Sequence, residues 1–356
     1  MDKARAKAFL GSMVDYINGG SIAMMCSIGH RTGLFDSMAG EPAMTSEALA
    51  ERAELNERYV REWLWAMASA GIVDYDAETE SFLLPEEHRM LVTRAGGSLN
   101  LAASLQSISL LAQVEDDVVE AFQTGAGVPY SKYPNFQDFM AEQSGAKFDA
   151  ALLSQMIPNI PGAPEALTEG ARLADLGCGR GHALMLLAEA FPNSSFHGFD
   201  FSSEAMLSAQ SAADERGLTN LTFTECDAAQ FTADEPFDFI TTFDAIHDQA
   251  QPATVLRNIH DALRDGGWYL CVEPKAESTL AENMLDPMAP FTYTMSTMHC
   301  MSVSIAGGGE GLGTAWGTQR VIEHLEAAGF SNIETRDAPQ DRTNTHFVAT
   351  RAAAMA

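Results

Sequence analysis

The pattern of apolar and polar positions changes character along the chain. Between residues 13 and 38 apolar side chains recur at helical spacing, with Ala23, Met24, Met25, Ile28, Leu34 and Phe35 mostly on one predicted face. Thr45 or Ser46 is a suitable N-cap for a helix over residues 47–55. Residues 56–70 predict a second helix, stopped at Gly71. Residues 72–75 and 81–84 flank an acidic turn and predict two short strands. Further helices are expected over residues 96–156, interrupted by an extended stretch at 128–134 that holds two prolines. Phe136, Phe139, Met140 and Phe148 follow at helical spacing, and residues 158–164, with three prolines, predict a linker.

From Ala171 the pattern alternates between short apolar runs and amphipathic stretches, which predicts a mainly parallel sheet with helices on both faces. Seven strands are expected, at residues 173–176, 195–200, 221–226, 237–243, 268–273, 332–336 and 346–350. The helix–helix–hairpin order near the start predicts a winged helix. The expected division is a winged-helix domain over 1–95, a helical linker region over 96–168, and an α/β, Rossmann-like domain over 169–356. A long insertion at about 275–317 should shape a substrate pocket.

Composition narrows the classes. A net charge of −28 argues against a nucleic-acid partner, because such affinity rests on Lys and Arg neutralising phosphates. The would-be recognition helix offsets Arg58 and Arg61 with Glu57 and Glu62, and the wing tip is acidic. A DNA-binding, ligand-sensing regulator is the alternative that the winged helix itself raises. No apolar run approaches the ~20 residues of a membrane helix, and the first residues, Met1-Asp-Lys-Ala-Arg-Ala-Lys7, form no apolar signal segment. A cytoplasmic protein with no membrane partner is expected. Five scattered cysteines, without a close pair, predict reduced thiols and no metal site.

The chemistry concentrates after the strand at 173–176. Gly177, Gly179 and Gly181 allow a turn closed to other residues and a close backbone approach to a ligand. Asp200 ends the next strand, where a carboxylate can accept both ribose hydroxyls of an adenosine ligand. Nucleotide oxidoreductases share such turns. Asp175-Leu-Gly-Cys-Gly-Arg-Gly181, followed by Asp200, resembles the first motifs of class I S-adenosylmethionine (SAM) methyltransferases. With the winged helix, the chain is similar to plant-type small-molecule O-methyltransferases and their bacterial relatives.

That resemblance implies SAM as cofactor and a small-molecule acceptor in a homodimer. It implies Asp175, Gly177, Gly179, Gly181, Asp200, Phe201, Asp227, Ala228 and Phe243 as cofactor contacts, with Asp175 drawing the ammonium and Asp227 the adenine amine. Tyr130 and Phe148 are further candidates from the region that approaches SAM from above. His247-Asp248 resembles the family's His-Asp segment, which implies His247 as general base, with Asp244 or Asp248 orienting it or binding substrate. Gln249 stands where that segment has tryptophan. In the insertion, Tyr293, His299 and Cys300 are the polar candidates for substrate contact, and residues 307–313 read as a glycine-rich lid or a disordered loop. Oxygen, sulfur and nitrogen nucleophiles all remain open.

Overall fold

A computed structural model describes residues 1–353, which fall into two compact units, Met1–Gln113 and the described residues from Val114 onward. The expected helical region over 96–168 is shared between them.

The first unit begins with a helix at Lys3–Thr32, capped by Asp2, whose side chain accepts from Ala4 and Arg5 N–H. Only its last part packs inward, through Ala23, Cys26, Gly29 and His30. Met24 and Ile28, grouped with Ala23 by helical spacing in the sequence, are exposed. Gly29 is there because a Cβ would stand 2.5 Å from the Trp63 ring. The helix Ser46–Ala53 is capped by Thr45, one of the two predicted residues; the helix Glu57–Ser69 is capped by Asn56, expected as its first residue, and its C-cap is Ala70, one residue before the expected Gly71. Trp63, Leu64 and Met67 of the second helix close a core with Phe35, Met38 and Leu49. Strands β1 (Asp74–Asp76) and β2 (Ser81–Leu83) form the antiparallel wing.

The second unit holds a seven-stranded sheet made of β3 (Arg172–Leu176), β4 (Ser195–Asp200), β5 (Leu221–Glu225), β6 (Phe237–Phe243), β7 (Leu263–Pro274), β8 (Phe330–Arg336) and β9 (Asn344–Arg351). Its order is β5-β4-β3-β6-β7-β9-β8, parallel from β5 to β7, with β9 antiparallel to both neighbours. The order reverses direction at β3, between β4 and β6, so the crevice beyond the carboxyl ends of these strands is where such a sheet takes a ligand. Apolar clusters fill both faces of the sheet, one around Leu173, Leu184 and Phe196, the other around Ile240, Leu256 and Phe347.

Residues 158–164 are not a loose linker. Ile157, Ile160, Ala163 and Leu167 are buried in the core of the second unit, with a helix at Ala163–Glu169. The insertion is mostly helical, through Ala289–Met295, a π-helical turn at Ser296–Cys300, and Met301–Ala306.

Candidate active site

Two groups of residues meet the carboxyl ends of β3, β4, β6 and β7. The first surrounds the glycine turn. Gly177, Gly179 and Gly181 all have positive φ, but for different reasons. A Cβ on Gly177 would meet Ala245 Cβ at 2.7 Å, and one on Gly181 would meet the Phe223 ring at 2.3 Å. Gly179 faces nothing within 4 Å, which leaves its backbone open to a ligand. Asp200 holds this turn. Its carboxylate accepts from Gly179 N–H at 2.9 Å and Ser202 N–H at 3.0 Å. Burial pushes the Asp200 carboxyl above the usual range, and these backbone donors oppose that. Asp175 is wholly enclosed; burial raises it to about 7, although Thr241 Oγ donates to it at 2.7 Å. Burial, with Asp175 and Asp200 close by, also keeps the Cys178 thiol protonated.

Phe201 is exposed at the tip of β4, and Tyr130 meets its ring edge-on at 5.5 Å between centroids. Asp227 caps the short turn Ala228–Gln230, accepting from Ala229 N–H at 2.9 Å and Gln230 Nε2 at 3.0 Å. Asn258 holds the Ala228 carbonyl from the neighbouring helix. Phe243 ends β6 and packs edge-on against Phe148, 4.9 Å between centroids.

The second group lies just past β6. His247 is buried, and its Nδ1 is 2.7 Å from Glu273 Oε2 on β7. Glu273 has no exposed surface. Its oxygens also accept from Ile246 N–H at 2.9 Å and Trp316 Nε1 at 3.2 Å. Burial alone would lower His247; the Glu273 carboxylate, with Cys300 beside it, outweighs burial and raises it well above the ordinary value. Burial would likewise raise the Cys300 thiol, but His247 and His299 bring it down to about 5. Asp248 is half-buried and is pushed up to about 7 by burial, against the opposing pull of His247.

The wall opposite comes from the insertion and the stretch before it. His299 is buried and stacked on Phe136 at 3.8 Å, with Tyr130 and Tyr133 edge-on to it. Neither of its ring nitrogens has a hydrogen-bond partner among the described residues. Tyr133 Oη donates to the Met298 carbonyl at 2.6 Å. Val128 N–H reaches Ser302 Oγ at 2.8 Å, which fastens the segment carrying Tyr130 to the helix that follows Cys300.

The glycine-rich stretch packs against the segment that carries His247. Gly313 N–H donates to the His247 carbonyl at 3.1 Å. A Cβ on Gly309 would stand 2.4 Å from Ala250 Cα, and one on Gly313 would stand 2.1 Å from Ser296 Oγ. Gly309 is therefore demanded by backbone packing against Ala250, on the segment that follows His247.

The remaining candidates are distributed as follows. Asp244 sits directly after β6 in a left-handed conformation, φ 53°. Its Oδ2 accepts from Asn344 at 3.1 Å and is 3.7 Å from Lys147 Nζ, so it points to this polar cluster and not to His247. Tyr293 accepts from Asn283 at 3.0 Å, within the insertion. Glu273, Thr241 and Trp316 were not singled out in the sequence. Glu273 and Thr241 read there as strand positions, and Trp316 as a residue ahead of the last helix.

Comparison with known proteins follows this division. Residues 20–94 match the family described as Rv2258c-like winged HTH domain, and residues 167–329 match the family described as methyltransferase domain. Trans-aconitate 2-methyltransferase of Streptomyces coelicolor is 37% identical over 87 residues, 24% of this chain and 27% of that protein. Demethylmenaquinone methyltransferase of Geobacillus kaustophilus is 30% identical over 107 residues, 30% of this chain and 46% of that protein. The chain thus spans less than half the length of these curated relatives. Among solved structures, the mitomycin 7-O-methyltransferase MmcR superposes with a TM-score of 0.72 at 15% identity, covering 98% of this chain and 99% of that one. Human N-acetylserotonin methyltransferase in complex with SAM gives 0.65 at 16% identity, covering 99% of each chain. At these identities the likeness is one of fold.

Gly313→Ala tests the packing of the glycine-rich stretch. The new methyl would meet Ser296 Oγ at 2.1 Å on a backbone with φ 73°. A loss of about 1–3 kcal/mol in urea unfolding of the full chain is expected from overpacking. An unchanged midpoint would mean that Ser296 and the Gly313 backbone give way without cost.

Proposed function

We propose that this chain, which carries a winged helix-turn-helix domain ahead of a class I SAM-dependent methyltransferase domain, transfers the methyl group of SAM to an oxygen or thiol sulfur of a small molecule. One observation carries the reading. A glycine turn with open space over Gly179, bound to Asp200, lies through Gly177 against Ala245, on the loop that leads to the buried His247–Glu273 pair.

The residues present fit the cofactor. Asp200 at the tip of β4 would take the ribose hydroxyls, with Phe201, Asp227 and Ala228 around the adenine. Asp175 and Phe243, at the tips of β3 and β6, would be the residues near its methionine part. When bound, SAM supplies a methyl group on a sulfonium, already a good leaving group. The chain then has to align the acceptor, exclude water and deal with the acceptor's proton or charge. His247 is the residue for that last task, its ring fixed by Glu273. Tyr130, between Phe201 and His299, would close the crevice over both ligands.

A nucleic-acid role has little support. Arg58 is paired with Glu62 and Arg61 with Glu57, so the basic groups of the second helix are neutralised where DNA would need them. A homodimer is better supported. Leu10, Val14, Ile17, Met24 and Ile28 lie exposed along one stripe of the first helix, at the three-and-four spacing of a helix–helix seam. A second copy of this chain would cover it. Sedimentation at micromolar concentration should read a dimer, and a monomer would remove this assembly.

The activity is tested by incubating the protein with methyl-labelled SAM and a metabolite extract, and collecting headspace as well as solution. Half the extract has its thiols alkylated and excess reagent removed. Labelled product is expected. Loss of label on alkylation would assign sulfur, its survival would assign oxygen, and label on nitrogen or nowhere would contradict the reading.

A further inference from the structure

His299 is a buried polar side chain that bonds to nothing around it. Both of its ring nitrogens are enclosed without a hydrogen-bond partner, and among the described residues it is the one histidine with both nitrogens in that state. His197 and His346 each leave one nitrogen unpaired but bond through the other, to Thr222 and Asp341. A buried polar atom left unpaired costs about as much as a broken hydrogen bond, and His299 carries that cost twice. A phenylalanine would fill the same stack on Phe136 without it. The Cys300 thiol, next in the chain, and Asp248 interact with the ring electrostatically, but neither holds a ring nitrogen at hydrogen-bond geometry.

One short segment encloses the ring. Phe136 stacks on it at 3.8 Å, and Tyr133 and Tyr130 stand edge-on at 4.6 and 5.4 Å between centroids. Left-handed positions bracket this segment, Gly125 and Gly127 before it and Asn135 near its end. Tyr130 also meets Phe201, so the segment runs from the adenine side of the proposed cofactor site to His299. Cys300 in turn interacts with His247. His299 therefore stands on the acceptor side of the site, in the chain position next to a neighbour of His247.

We propose that His299 selects the acceptor by hydrogen-bonding a second polar group on it, away from the atom that is methylated, once the Tyr130–Phe136 segment shifts off the ring. This rests on the methyltransferase reading and narrows it. A neutral imidazole donates from one nitrogen and accepts at the other, so the group it fits is a hydroxyl or an amide, each able to do either. An acceptor that supplies the bond removes a cost already present in the free protein. An acceptor with a single polar atom, such as hydrosulfide or methanol, gains nothing from His299. A site built around a buried polar group discriminates in this way against ligands that lack the matching group.

The test compares the unaltered chain with His299→Phe and His299→Gln. Calorimetry with S-adenosylhomocysteine comes first and is expected to give the same affinity in all three chains. An unaltered chain that does not bind it loses the methyltransferase reading, while the burial cost at His299 is still read from stability. His299→Phe keeps the stack and removes both unpaired atoms, so its urea midpoint should be held or raised. A midpoint lowered in His299→Phe and restored in His299→Gln would show that the nitrogens bond within the protein, and would overturn the proposal. Methyl transfer from labelled SAM is then followed over a dilution series of the extract. In His299→Phe, kcat/KM should fall by about 5–150-fold, the range for leaving one buried polar group unpaired, chiefly through KM. His299→Gln should return part of it. Hydrosulfide as sole acceptor is the probe without a second polar group, and its rate should be the same in the unaltered chain and in His299→Phe. An unchanged kcat/KM for the extract, or an equal fall with hydrosulfide, would refute selection by His299.

Discussion

The site depends on one enclosed carboxylate. Glu273 ends the buried part of β7, and three donors converge on its two oxygens. An ion in that position leaves its surroundings little freedom, because each donor that moved away would leave charge uncompensated in a medium of low dielectric. The backbone of Ile246 and the ring of His247 are thereby fixed at the tip of β6. Trp316 is tied to the same oxygen that holds the imidazole. The proton on Nδ1 is set by this contact, which leaves Nε2 as the nitrogen for chemistry.

The loop that carries His247 is held from several sides. Gly177 can approach only because it has no side chain, so the cofactor turn and Ala245 of the catalytic loop are in contact. Gly309 and Gly313 lie against Ala250 and the His247 carbonyl from the insertion. Ser304 Oγ adds a bond to the Gln249 carbonyl at 2.8 Å. The strained Asp244 starts the loop and is anchored to Asn344 and Lys147. A left-handed aspartate is costly by about 1–3 kcal/mol, and its position directly after β6 is where the chain must turn sharply to bring His247 back over β7.

Much of the fold was legible because it depends on local pattern. The alternation from Ala171 onward, the caps at Thr45 and Asn56, and the spacing of Gly177, Gly179 and Gly181 are all short-range signals. Asp200 was legible for the same reason, as the end of the strand after that turn. What could not be read depends on contacts distant in sequence. Glu273 meets His247 across 26 residues and Trp316 across 43, and nothing in the local pattern marks a strand-end glutamate as the keystone. Thr241 looked like any strand residue until the sheet placed it beside Asp175. The glycine-rich stretch was ambiguous, since glycines required by close packing, as Gly309 is, have the same composition as glycines in a flexible loop.

The most direct test of this account is the rate of methyl transfer by His247→Ala, in the extract that yields labelled product, with affinity for S-adenosylhomocysteine measured alongside. The fixed imidazole acts only on the acceptor, so transfer should fall by roughly 10²–10⁴-fold while affinity for S-adenosylhomocysteine is preserved. An unchanged rate, at unchanged affinity, would mean that the Glu273–His247 pair is a structural feature of the fold and that the acceptor is handled elsewhere.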